Sequence, residues 1–300
     1  MPSSKVVRTL AIAIALSFAF SGAASAQTCL TDPGPKYRPI SDLDNGGYPI
    51  CYQEPIETNK AAYVALQGRH LLETYSQFLA PLRLPHPLNL VARNCVRDVG
   101  TDSPFYDPGD RSLNFCYEWV DAVRHAAALR AADGSTPASI IAGMWAGTLL
   151  HETGHAMFDM LDVPVFGREE DAADEVAAFI ALQFSKEVEV AVIKGFAHFW
   201  ETEAKALSDP TTAMNPAYSD EHGTASQRLY NTLCLAYGGD PVTFGEFVNK
   251  GWLPAGRAAN CGREYRQLAF AFSKTILPFI DPQARMKVQA LQWMLPEDFK

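Results

Sequence analysis

Apolar positions recur with helical spacing from Asn59 to Ala80, and the run ends in the proline-rich LAPLRLPHP. LNLVARNCV then reads as a short strand, TDSPFYDPGD as a turn-rich loop, and RSLNFCYEW as a second strand in which Leu113, Phe115 and Tyr117 alternate with Asn114 and Cys116. Helical patterns dominate from Val120 onward. One helix stands out. Ser135 or Thr136 can cap it, Pro137 suits its first turn and Val163-Pro164 closes it. Between these limits Ile140, Met144, Trp145, Leu149, Met157 and Phe158 leave almost no polar face, so the helix belongs at the centre of the molecule. The pattern as a whole predicts a mainly α protein with a small β-sheet.

That apolar helix carries LLHETGHAMFD, Leu149 to Asp159. Burying His151, Glu152 and His155 without partners would cost several kcal/mol, so something must satisfy them. Residues at i and i+4 lie on one side of a helix, which lets His151 and His155 offer imidazole nitrogens to a single ion. Glu152 points near the same ion without binding it, the arrangement in which a glutamate takes the proton of a zinc-activated water. Two histidines leave zinc underligated. Phe158 and Leu161 occupy the positions where a metzincin would carry glycine and histidine, so that class is excluded.

A carboxylate on the following segment, GREEDAADEVAAF, is the remaining source, and it supplies Glu169, Glu170, Asp171, Asp174 and Glu175. A ligating histidine commonly hands its other ring nitrogen to a carboxylate. Glu170 and Asp174 are the only Glu-to-Asp pair spaced i and i+4. Glu170 is therefore expected as the third ligand and Asp174 as the group orienting a histidine, while Glu169 and Glu175 are expected to take no part.

Composition and charge narrow the setting. Residues 1–26 read as a secretory signal, with Lys5 and Arg8 before the apolar TLAIAIALSFAF and an Ala24-Ser25-Ala26 cleavage site. No later stretch is long and apolar enough to span a bilayer. The formal charge is −9, and removing Lys5 and Arg8 with the leader makes the remainder −11, which argues against nucleic acid or an anionic membrane as partner. All six cysteines, Cys29, Cys51, Cys95, Cys116, Cys234 and Cys261, follow the leader, and no C-x-x-C occurs. Disulfides are expected in an exported protein, and proximity favours the pairs 29–51, 95–116 and 234–261 among the 15 connectivities that six cysteines allow.

HETGH followed by Glu170-Asp-Ala-Ala-Asp174 resembles the gluzincin class of zinc peptidases, which carry H-E-x-x-H and then E-x-x-x-D. More closely, PFYDPGDRSLNFCYE, LLHETGHAMFDMLDVPVFGREEDAADEVA, DEHGTASQRLYNTLCLAYGGDP and LPAGRAANCGREY are similar to an exported bacterial family of metallopeptidases of unknown function. The resemblance implies one zincin-like domain over residues 27–300, a single bound Zn2+, a peptide or protein substrate, and a periplasmic or secreted location. It also implies a strand along the cleft above the helix, for which RSLNFCYEW is the candidate. His222, in Asp220-Glu221-His222, is the preferred group to stabilise the oxyanion, with Gln227-Arg228-Leu229-Tyr230 as alternatives. His70, His86, His125 and His198 lack metal-ligand spacing. A catalytically silent, zinc-stabilised binding protein is the rival, and an intact Glu152 favours the enzyme.

Overall fold

The computed structural model describes residues 48–129, 134–206 and 220–290. The leader read over residues 1–26, and Cys29 of the expected pair Cys29–Cys51, lie outside the described residues. In chain order the elements are β1 (Ile50–Tyr52), α1 (Lys60–Gly68), α2 (Leu71–Leu79), β2 (Asn89–Arg93), α3 (Cys95–Asp98), β3 (Phe105–Asp107), β4 (Ser112–Cys116), α4 (Tyr117–Ala128), α5 (Pro137–Met160), α6 (Glu169–Ala181), α7 (Lys186–Ala206), α8 (Ala225–Gly239), α9 (Gly245–Asn249), α10 (Ala255–Thr275) and α11 (Pro282–Gln289). The protein is thus mainly α with a small β-sheet, as the apolar periodicity predicts. No helix among the described residues is long and apolar enough to cross a membrane.

Three expectations need correction. The helical run from Asn59 is two helices, broken at His70, whose φ is +51°. Continued unbroken, the face that buries Ala62 and Leu66 would next carry Arg69, His70 and Glu73 inward. The break re-phases the chain so that Leu71, Leu72, Tyr75, Phe78 and Leu79 enter the core. Next, Tyr117 is not in a strand: β4 ends at Cys116 and α4 starts at Tyr117, three residues before the expected Val120. Finally, β4 is an inner strand. The sheet order is β1-β2-β4-β3, with β4 parallel to β2 and antiparallel to β3, so both its edges are taken and no substrate backbone can pair with it. The outer strands are β1 and β3, and the one beside Glu152 is β3, inside the segment read as a loop.

α5 is the axis of the helical part, packed against α4, α6 and α7. Thr136 caps it by accepting the Ser139 N–H at 3.2 Å, and Pro137 fills the first turn. Glycines set how closely its neighbours approach. A Cβ on Gly154 would sit 3.2 Å from Ala173 Cα, so α6 lies tight against the HETGH turn. Ala173 is flanked by Glu170 and Asp174, and this contact carries both acids to the histidines. The disulfides Cys95–Cys116 and Cys234–Cys261 form as proximity suggested, the second tying α8 to α10.

Candidate metal centre

α5 presents His151 and His155 one turn apart, with their Nε2 atoms 3.2 Å from each other. Each ring is held from behind. His151 Nδ1 lies 2.9 Å from Asp174 Oδ1, and His155 Nδ1 lies 2.8 Å from Glu169 Oε1. An ionised carboxylate only accepts, so these contacts put the ring protons on Nδ1 and leave both Nε2 lone pairs facing one another. Two opposed lone pairs at that distance repel unless a cation, either a proton or a metal ion, lies between them. The separation is close to the edge, about 3.3 Å, of a tetrahedron with bonds of about 2.0–2.1 Å to zinc.

Glu170 closes the group from the first turn of α6. Its Oε2 is 3.0 Å from His151 Nε2 and its Oε1 is 3.4 Å from His155 Nε2, and ligand atoms of all three residues fall within 4.8 Å of one another. Glu170 Oε2 is buried and, despite the nearby ring nitrogens, accepts no hydrogen bond of proper geometry. A buried carboxylate oxygen without a proton aimed at it, beside converging lone pairs, is the donor set of a cation and fits zinc.

The surroundings favour positive charge at this point. Burial alone would depress the His151 imidazolium, but the contacts with Asp174 and Glu170 outweigh it and lift its pKa to about 10. Burial likewise works against the Glu170 carboxylate, yet the three imidazoles of His151, His155 and His222 hold it far below the usual range. Asp174, also opposed by burial, is kept low by Arg228 and His151. Glu152 goes the other way, its carboxyl raised mainly by burial. Its Oε2 accepts the Tyr106 N–H of β3 at 2.8 Å, while its Oε1 stands 4.0 Å from His151 Nε2, outside the ligand set.

Two parts of this arrangement escaped the sequence. Arg228, weighed there only as an oxyanion donor, instead forks onto Asp174, with Nε 2.6 Å from Oδ2 and Nη2 2.7 Å from Oδ1. Nothing in the spacing connects α8 to α6, so only packing could pair them. Glu169 was passed over because no aspartate follows it at i+4, yet it meets His155, whereas Glu175 stays away from the rings as expected. His222 arrives from the turn before α8: its Nε2 is 3.0 Å from Glu170 Oε2, and its Nδ1 is 2.8 Å from Asp220 Oδ1. Of the other residues in that stretch, Gln227 serves the capping box of α8 and Tyr230 lines a different cavity.

The sequence pattern of a family described as "putative metallopeptidase" matches residues 52–276. The chain belongs to that family. No curated protein and no solved structure matches it. Membership in a metallopeptidase family implies a metal and a peptide substrate, and His151, His155 and Glu170 lie well inside the matched span.

Proposed function

We propose that the protein is an exported zinc-dependent peptidase in which His151, His155 and Glu170 hold one zinc ion and Glu152 is the general base. The convergence of the two Nε2 atoms and the Glu170 carboxylate, each ring anchored through Nδ1, is the observation that carries this reading. When bound, zinc supplies Lewis acidity, polarising the scissile carbonyl and lowering the pKa of the attacking water.

The chain's own groups do the rest. Glu152, kept out of the ligand set and aimed by the Tyr106 N–H, takes the water's proton and returns it to the leaving amine. His222, whose imidazolium form is favoured by Glu170 and Asp220, keeps Nδ1 on Asp220 and turns Nε2 toward the cleft, where that cation can donate to the oxygen that gains charge. The outer edge of β3 runs beside Glu152 with its Tyr106 N–H already given to that carboxylate, so an extended substrate would pair with the backbone groups of the edge that remain. Asp174 and Arg228 orient His151, and Glu169 orients His155. The disulfides and the leader-like residues 1–26 support export.

The test is Glu152→Gln. This variant should retain zinc, measured by elemental analysis, and lose peptide hydrolysis by roughly two orders of magnitude or more. Unchanged activity would end the mechanism, and loss of the zinc would make Glu152 a ligand.

A further inference from the structure

Past His151, Glu152 and His222 the cleft opens into a side chamber of about 370 Å³. Its main wall is one stripe of α7, Phe196, Phe199, Trp200 and Glu203, at spacing i, i+3, i+4 and i+7. Trp119 of α4 and Arg228 of α8 complete it. The stripe reaches the cleft because α5 and α7 meet glycine to glycine. A Cβ on Gly143 would lie 2.1 Å from Ala191 O, one on Gly195 would lie 2.6 Å from Gly143 Cα, and one on Gly147 would lie 2.7 Å from the Phe196 ring. The rings brace one another, with centroids 5.4 Å apart for Trp119 and Phe199, 4.5 Å for Phe199 and Trp200, and 5.3 Å for Phe196 and Trp200. The chamber therefore has a shape set by packed side chains.

Its charged groups are mixed, but Arg228, His151 and His222 each meet a carboxylate, which leaves Glu203 as the uncompensated charge. Arg228 lies over the Trp200 ring, 3.8 Å from the centroid, but its fork is committed to Asp174, which neutralises it locally. Glu203 also lines the chamber, and among the described residues no cation pairs with it. Glu152 and Asp220 stand at the entrance, Asp220 paired with His222. A long chain of methylenes ending in a cation matches this combination, since the stem lies against aromatic faces and the charge meets a carboxylate. A neutral aromatic side chain would fill the same walls but leave Glu203 facing apolar surface, and an acidic one would face like charge.

Resting on the peptidase reading above, we propose that this chamber is the specificity pocket for a lysine or arginine side chain adjoining the scissile bond, with Glu203 as the residue that selects it. The other limb of the cleft, about 800 Å³, also carries rings, Phe105, Tyr106 and Phe158, but these do not brace one another as the α7 rings do, so selection falls on the narrower chamber.

The test is a peptide set varied at both residues around the cut with Arg, Lys, norleucine, Phe and Glu, incubated with the zinc-loaded protein, cleavage positions being read by mass spectrometry. Arg and Lys peptides should exceed norleucine and Phe in kcat/KM by about tenfold or more. Glu203→Gln should lower the Arg and Lys values roughly 10- to 100-fold and leave norleucine within about threefold, with Glu203→Asp recovering part of the loss. A preference for Phe or norleucine, or an equal loss on every peptide in Glu203→Gln, would overturn the assignment. If the wild type cleaves nothing, the same peptides are titrated calorimetrically. Tighter binding of Arg and Lys that disappears in Glu203→Gln upholds the chamber and refutes only the hydrolysis, whereas equal binding of all five refutes the chamber as well.

Discussion

Two faces of α6 bring the same kind of residue into opposite circumstances. On one, Glu170 is partly buried and Asp174 fully buried against α5 and α8, where imidazoles and the Arg228 guanidinium hold both carboxyls low. On the next, Glu175 is partly buried beside Asp171, Glu264 and Asp174, with only Arg257 to help, and its pKa is pushed up to about 7, mainly by burial. Asp174 and Glu175 are adjacent in sequence. What separates them is a rotation of about 100° around the helix, which decides whether a buried acid meets cations or other acids. An acidic helix start is therefore not one feature but several, and each can be tested separately.

The largest effect is expected from Glu170→Ala, which removes the oxygen proposed to coordinate the ion. Zinc should fall from one ion per chain to nearly none by elemental analysis, while equal zinc in this variant and the wild type would place the third ligand elsewhere. Gly154→Val comes next. A branched side chain so close to Ala173 must displace α6, and a shift of about 1 Å at the ligands should cost on the order of 100-fold in activity with the ligand residues themselves intact.

Asp174→Ala should weaken zinc binding roughly 10- to 100-fold, since it removes an orienting bond and strands Arg228. Glu169→Ala should cost less than that, because the Glu169 side chain is 55% exposed and water can replace it on His155, whereas Asp174 is 4% exposed. Equal losses in competitive chelator titrations would erase the distinction between the two histidines.

Glu175→Gln should leave zinc unchanged and raise stability at neutral pH. A carboxyl whose folded pKa of about 7 exceeds its reference value of 4.5 binds more protons folded than unfolded between those values, so it makes stability fall as pH rises through that window. The cost is absent below about pH 4.5 and complete above about pH 7. The variant should therefore gain about 1–2 kcal/mol at pH 8, a few degrees in Tm, and converge with the wild type at pH 4. A gain that persists at pH 4 would assign the effect to packing and not to charge.

Much of this was open to reading along the chain. The cap, proline and unbroken apolar surface of α5, the HETGH spacing and the Glu170-to-Asp174 interval are all local, because a helix converts sequence intervals of four directly into neighbours in space. The order of the cysteines also favoured the 95–116 and 234–261 pairs, since short loops close readily. By contrast β3 has three residues, too few for a period-two pattern to show, and β4 is buried at every position, so alternation carried no information there. The edge facing the site was consequently assigned to the wrong strand.

The sequence by itself determined which residue types stand at helical spacing on α5 and α6, and therefore which atoms could share an ion. Tertiary structure alone decided that Arg228, 54 residues beyond Asp174, grips it, that Glu169 meets His155, and that the aromatic stripe of α7 ends beside Glu152. Those contacts join separate elements, and no periodicity within one element encodes its distance or rotation relative to another. That distance is set by the glycines at Gly143, Gly147, Gly154 and Gly195, whose missing side chains let α6 and α7 close on α5.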